Sequence, residues 1–161
     1  MIAEINEPSL EARSLHLAHR VQAGNSLGRR LLVVVLDALV ETLLPTLELV
    51  QEEGRQMGRH EMRVTALRDA KGNDAMELVR DARGRLDQVI IIATTEHDIA
   101  ESEALCARCV NEGIKVGAIL IGANRSGGSG RTAAAARQYA ETIAIVREPE
   151  TAIEILRAIG V

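Results

Sequence analysis

Aromatic residues are almost missing from this 161-residue chain, which has one tyrosine, Tyr139, and no phenylalanine or tryptophan. Proteins that bind single-stranded nucleic acid stack bases on aromatic side chains, so the chain lacks such a platform. A basic surplus is missing too, because 19 Lys and Arg stand against 23 Asp and Glu and leave a net charge of -4. With no basic patch to attract phosphates, we expect no nucleic-acid partner.

Metal-binding and redox residues are scarce. The two cysteines, Cys106 and Cys109, lie three positions apart in a helical pattern, so no disulfide framework is indicated. The four histidines show no spacing typical of a zinc site. Ile99 and Val110 share the apolar helix face with the cysteines, which favours buried packing over redox chemistry. We expect no metal and no cofactor.

Long apolar runs are also absent. No stretch approaches the roughly 18 residues that a transmembrane helix needs. The first residues, MIAEINEPSLEARS, are acidic and lack the basic and apolar regions of a signal peptide. We therefore expect no membrane partner and a cytoplasmic location.

What the chain does have is an alternation of apolar strands with helical segments. Its length and composition predict one domain over 1–161, made of an N-terminal helix and connector (1–28) and five strand-helix units (29–161). The predicted helices cover 9–23, 37–58 with Pro45 in a first turn or at a kink, 74–85, 98–113, 132–140 and 149–159. The predicted strands are LLVVVLDA, EMRVTAL, DQVIIIATT, IKVGAILIG and ETIAIV.

This alternation predicts the fold. Strands joined by helical crossovers must pair in parallel, with helices on both faces of the sheet. We therefore expect a three-layer, doubly wound α/β fold of about five parallel strands, either flavodoxin-like or similar to the sugar isomerase domain described below. Ligands in such folds bind beyond the carboxyl ends of the strands, which places the candidate loops at 37–42, 68–73, 94–98, 122–132 and 147–149.

The strongest candidate site follows the most apolar strand, in VIIIATTEHDIAESE. Thr94 and Thr95 offer hydroxyls that suit a phosphate or carboxylate, and Glu96 and His97 could exchange protons near neutral pH. Asp98 completes the predicted ligand-binding cluster. The alternative is that Thr95 or Asp98 caps the next helix and the other side chains are only solvated.

A glycine-rich loop, GANRSGGSGRT, joins a later strand to a helix at 122–132. Its end resembles a Walker A loop, but Arg131 takes the place of the lysine and Arg125 that of the first glycine, which argues against nucleotide hydrolysis. Two interpretations remain open. The loop is either a plain surface loop, or an anion-binding lid that uses Ser129, Arg131 and Thr132.

The region from 86 to 147 resembles the sugar isomerase (SIS) domains of phosphosugar isomerases and phosphosugar-sensing regulators. In both, a strand leads into a Ser/Thr-rich phosphate loop, a helix that ends at glycine, a strand and an alanine-rich helix. This chain has Thr94, Thr95, Glu96, His97 and Asp98 where the family carries serine, glycine and asparagine. The resemblance implies Thr94 and Thr95 as phosphate ligands.

A second resemblance, in VVVLDALVETL and NEGIKVGAILIGA, is to von Willebrand A-type domains. The metal site of that family needs Asp-x-Ser-x-Ser after the first strand, and among Asp37, Leu39 and Glu41 only the aspartate matches. The resemblance therefore implies the fold without metal-dependent adhesion. From position alone, Asp37 is a helix cap, a solvated strand end or a Mg²⁺ ligand.

Two functions follow as hypotheses. The first is an SIS-like domain that binds a small phosphorylated metabolite, such as a sugar phosphate. If it isomerises that ligand, Glu96 or His97 would move the proton between adjacent carbons. The second is a non-catalytic interaction or scaffold domain. We expect a homo-oligomer, and under the second hypothesis apolar residues of the N-terminal helix would serve self-association.

Overall fold

The computed structural model describes residues 30–57, 61–67, 74–81, 85–96, 98, 100–122 and 130–160. The predicted N-terminal helix over 9–23 lies outside these residues. The described ranges contain five strands: β1 (Arg30–Val35), β2 (Glu61–Ala66), β3 (Gln88–Thr94), β4 (Lys115–Ile121) and β5 (Thr142–Val146). Six helices accompany them: α1 (Ala38–Glu41), α2 (Leu44–Met57), α3 (Ala75–Asp81), α4 (Ala100–Asn111), α5 (Arg131–Tyr139) and α6 (Pro149–Gly160).

The five strands form one parallel sheet in the order β2-β1-β3-β4-β5. The chain leaves β1 in one direction to form β2 and then crosses back to form β3 on the other side of β1. This is the strand order of flavodoxin-like folds, and it confirms the predicted doubly wound α/β architecture.

Apolar residues fill both sides of the sheet, which makes three layers. Along β1, Leu32 and Val34 belong to a core shared with α3, α4 and α5. The alternate residues Leu31, Val33 and Val35 belong to a second core shared with α1, α2 and α6. Successive strand residues point to opposite faces, so a strand covered by helices on both faces is apolar at every position.

Local signals in the sequence correctly mark several helix boundaries. Asp74 caps α3, because its Oδ1 accepts the Met76 backbone N–H at 2.9 Å. Gly113 follows α4 at a φ of 72°, a backbone conformation that favours glycine. Pro45 is the second residue of α2, where no intrahelical partner for its missing N–H is needed. The predicted helix at 37–58 is therefore two helices, with Pro45 in the first turn of the second.

In the described part of the chain, every helix is too short or too polar to span a membrane.

Candidate functional site

The point where strand order reverses lies between β1 and β3. Helices α1 and α2, which follow β1, cover one face of the sheet, while α4, which follows β3, covers the other. The two chain segments therefore diverge beyond the carboxyl ends of these neighbouring strands, which is where folds of this class have a crevice. In open α/β sheets ligands bind in this crevice.

Asp37 and Thr94 meet across the crevice. The Thr94 hydroxyl donates a hydrogen bond of 2.5 Å to Asp37 Oδ2, although the two residues are 57 positions apart. The Asp37 backbone carbonyl also accepts from Val40 and Glu41, which starts α1. Asp37 is 8% exposed, so it is a buried, hydrogen-bonded carboxylate rather than a solvated strand end. The Asp37 carboxylate and the Thr94 hydroxyl oxygen are both groups that can accept hydrogen bonds.

Thr95 lies deeper than Thr94 and contacts the end of β4. It is buried, and its backbone N–H donates to the Ile121 carbonyl at 2.9 Å. A Cβ at Gly122 would lie 2.1 Å from Thr95 Oγ1. Glycine at 122 is therefore what allows the buried threonine to approach the neighbouring strand. No sequence motif marks this contact, since it depends on β3 and β4 being neighbours.

Asp98 contacts the first residue of α5. Its Oδ1 accepts the Arg131 backbone N–H at 3.1 Å and lies 3.5 Å from the Arg131 Nε. Gly130, the N-cap residue of α5, has no side chain with which to cap the helix. A carboxylate from the β3–α4 loop thus occupies the positive end of α5, where anionic groups are stabilised. From its position in the sequence alone, Asp98 is expected to cap α4, the helix that it precedes.

Thr132, the next residue of α5, points into the protein. Its hydroxyl lies 3.1 Å from Ser102 Oγ, to which it donates a hydrogen bond, and both residues are fully buried. This contact joins α5 to α4 under the loop that carries Asp98. Ser102 has no distinguishing signal in the sequence, and its importance follows only from the packing of these two helices.

The predicted proton-transfer residues are described only in part. Glu96 is exposed, two residues beyond Thr94. His97 and Ser129 lie outside the described residues. The structure therefore groups the predicted side chains into Asp37 with Thr94 in the crevice, Asp98 with Arg131 at the start of α5, and two buried threonines that position these segments.

The cysteine pair is part of the core, as predicted. Both side chains are buried and free, and burial raises the pKa of the Cys106 thiol to about 11. Burial, and secondarily the neighbouring Cys106, raises the pKa of Cys109 to about 12. Thiols with raised pKa values are poor nucleophiles. Val110, which the sequence assigns to the same apolar face, is instead 48% exposed.

Within the described ranges, no group of three or more His, Cys, Asp or Glu residues is arranged to hold a metal ion. Among the described residues, the charged side chains in these connections include Asp37, Glu96, Asp98 and Arg131. The carboxylates offer oxygen acceptors, and the Arg131 guanidinium lies at the start of α5.

No protein-family model and no curated protein matches the chain. Among solved structures, the chain is similar to a protein from Burkholderia pseudomallei described as pilus assembly-related (16% identity, TM-score 0.47, 83% of this chain and 90% of that chain). It is also similar to a 3-dehydroquinate dehydratase-like protein from Bifidobacterium longum (16% identity, TM-score 0.48, 82% of this chain and 95% of that chain). A third similarity is to a de novo designed protein with a P-loop NTPase fold (18% identity, TM-score 0.41, 91% of this chain and 84% of that chain). Similarities of this size identify no shared activity, so the fold class rests on the strand order of the chain itself.

Proposed function

We propose that the chain binds a small phosphorylated metabolite that carries hydroxyl groups, such as a sugar phosphate, at the carboxyl edge of the sheet. The observation that carries the proposal is the hydrogen bond between Asp37 and Thr94 at the point where strand order reverses. A ligand is expected at this point in folds of this class.

The Asp37–Thr94 pair fits the hydroxyl end of such a ligand. Because Thr94 donates its proton to Asp37, its oxygen can only accept from a ligand. A carboxylate oxygen can accept more than one hydrogen bond, so Asp37 can bind a ligand hydroxyl beside Thr94. A phosphate would be repelled by the carboxylate. This position therefore selects hydrogen-bond donors.

Arg131 fits the phosphate end. Its guanidinium lies at the start of α5, where the helix dipole adds to the attraction for an anion. The carboxylate of Asp98 already contacts both the backbone N–H and the guanidinium. A phosphate would replace that carboxylate and, through its additional oxygens, form stronger charge-assisted hydrogen bonds.

The buried threonines position the two ends in this proposal. Thr95 ties the β3–α4 loop to β4, and Thr132 ties α5 to α4. Glu96 is exposed in the same loop, and it is the described residue best placed to move a proton if the bound sugar phosphate is isomerised. Isomerisation is therefore the reaction to assay once binding has been measured.

Isothermal titration calorimetry with four ligands tests the proposal: an aldose phosphate, the corresponding free sugar, inorganic phosphate and a nucleoside triphosphate. We expect the sugar phosphate to bind most tightly, because the free sugar lacks the phosphate, inorganic phosphate lacks the hydroxyl groups, and a nucleoside triphosphate brings more negative charge toward Asp37. At 100 times its Kd it should stabilise the protein by about 2.7 kcal/mol. Absence of binding by the aldose phosphate, or binding no tighter than that of inorganic phosphate, would contradict the proposal.

Two variants locate the site. Thr94→Val removes the hydroxyl and keeps the shape, and Arg131→Gln removes the charge. Each should weaken the Kd for the sugar phosphate by about tenfold or more, since each removes a hydrogen bond to a charged or buried group. Thr151→Val, at an exposed position of α6, and Arg157→Gln, in an exposed ion pair with Glu53, are the matched controls. If the variants bind like their controls, the ligand occupies another site.

A non-catalytic interaction domain is the second candidate function. The observation that favours it is the apolar side chain of Ile145, which is 40% exposed on the edge strand β5. Binding of a partner at this edge and binding of a metabolite at the crevice use different residues, so each can be tested separately.

A further inference from the structure

The two edges of the sheet are protected unequally. On β2, Glu61 and Arg63 are exposed charged residues, and the backbone N–H of Val64 donates to Gln51 Oε1 at 3.0 Å. Charged side chains and covered backbone groups are the usual means by which edge strands avoid pairing with other chains. The β2 edge is therefore closed to a further strand.

The β5 edge lacks both protections. Its sequence, TIAIV, contains no charged residue. The Val146 carbonyl accepts from the Gly122 N–H at 2.8 Å, so within β5 Val146, Ala144 and Thr142 direct their backbone groups to β4. Ile143 and Ile145 therefore direct theirs outward. No hydrogen bond from the described residues reaches these outward groups, and the Ile145 side chain is 40% exposed.

The charges at the two ends of β5 are self-complementary. Glu141 precedes the strand and Arg147 follows it, and both are exposed. If two copies of β5 lie antiparallel about a two-fold axis at Ala144, Glu141 of each copy stands opposite Arg147 of the other. Arg147 makes no ion pair or hydrogen bond with the described residues, whereas Glu141 lies 3.6 Å from Lys115. That exposed contact is weak and leaves the carboxylate able to bind a second cation.

We propose that β5 of one chain pairs antiparallel with β5 of a second copy, about a two-fold axis at Ala144, to form a continuous ten-stranded sheet, five strands from each copy. In this register Ile143 and Ile145 of opposite copies form hydrogen-bonded pairs, because their backbone groups face each other. Their side chains then cover one another on the same face of the sheet. Such a pairing is isologous, so it closes at two subunits.

Charge reversal tests the register with the full chain. In Glu141→Arg, two arginines of one copy would oppose two arginines of the other, and in Arg147→Glu the same holds for glutamates. Like charges directly opposite are destabilising, and each dimer contains two such pairs. We expect sedimentation velocity to show dimer dissociation constants about tenfold weaker or more for each variant alone.

The two variants should rescue each other. An equimolar mixture of Glu141→Arg and Arg147→Glu places every arginine opposite a glutamate, and so does the double variant, so both should dimerise like the original chain. Arg85→Glu, an exposed charge reversal before β3, is the control and should dimerise normally. A monomeric original chain, or single variants that dimerise with unchanged constants, would overturn the proposal.

A cysteine at the axis gives an independent measurement. Ala144→Cys places two thiols directly opposite each other, in the closer, non-hydrogen-bonded type of pair. Mild oxidation should link most of the protein as a dimer. Thr142→Cys is the matched control, because the two new cysteines would be roughly 14 Å apart along the strands, too far for a disulfide. Equal cross-linking of the two variants, or none in either, would refute the register.

Discussion

The contact between Gly122 and Thr95 gives the sharpest test of how the candidate site is held together. Gly122→Ala would place a methyl group 2.1 Å from Thr95 Oγ1 and 3.0 Å from its Cγ2. Rotating the threonine side chain would relieve only part of the overlap, since its Cβ would remain only 3.1 Å away. The new methyl group must therefore displace either the threonine or the strand end.

The backbone resists that displacement. Thr95 donates its N–H to Ile121 at 2.9 Å, and Gly122 donates its N–H to Val146 at 2.8 Å. Overpacking of a core costs about 1–3 kcal/mol, and with both segments held by hydrogen bonds we expect the upper part of that range. For a domain of this size the Tm should fall by roughly 5–10 °C.

Urea denaturation of four proteins measures the effect: the original chain, Gly122→Ala, Thr95→Ala and the double variant. Thr95→Ala removes the two nearest atoms of the clash, so the double variant should be about 1–2 kcal/mol more stable than the sum of the single effects predicts. Gly113→Ala is the control. A Cβ there meets nothing within 4 Å, but the alanine must adopt a φ of 72°, so its cost of about 1–2 kcal/mol should add to that of Thr95→Ala without coupling. A Gly122→Ala cost within the error of measurement, or no relief by Thr95→Ala, would refute the packing argument.

Two further predictions concern Asp98 and the buried thiols. Asp98→Ala removes a side chain that caps α5, so urea denaturation should show a loss of about 1 kcal/mol. Asp98→Asn should lose less because its amide oxygen still accepts from Arg131. Equal losses would show that the cap does not depend on that oxygen. The raised pKa values of Cys106 and Cys109, about 11 and about 12 from an ordinary value of 9.0, mean that the folded protein holds these protons more tightly than the unfolded chain. Their contribution to the free energy of unfolding is thus fully present below pH 9 and is lost as the pH rises toward 11 and 12. Comparison with a Cys106→Ala, Cys109→Ala variant should show a shallower alkaline loss in the variant, and identical slopes would contradict the assignment.

The order of elements could be predicted from the sequence because each element carries its own signal. The run Val89–Ile92 is apolar at every position because β3 is covered on both faces, and Gly113 ends α4 where only glycine fits the turn easily. Such signals depend on neighbouring residues alone, so they can be recognised without knowing the rest of the structure. The prediction of a single helix over 37–58 was wrong at Thr42 and Leu43, which separate α1 from α2.

The candidate site could be predicted only as a region, because its contacts join distant segments. Thr94 was expected to contact a ligand, but its bond to Asp37 requires β1 and β3 to be neighbours, which the order of elements does not reveal. Asp98 immediately precedes α4, yet its carboxylate lies at the start of α5. Reasoning from adjacent residues assigns such a side chain to the nearest helix, and only the packing of α5 beside α4 brings Arg131 to it.

The proposed dimer and the proposed ligand site use different parts of the same sheet. Parallel strands put every ligand-binding loop at one edge of the sheet, and antiparallel pairing of β5 would turn these edges in opposite directions in the two copies. The two crevices would therefore face away from each other, and neither copy could contribute a residue to the other's site. Arg147 lies at the carboxyl end of β5, but in the dimer it would be engaged by Glu141 at the far end of the second copy's strand. Loss of dimerisation in Glu141→Arg, which lies before β5 at the opposite edge of the sheet, should consequently leave the affinity of the site at Thr94 and Arg131 unchanged, so the two proposals can fail independently.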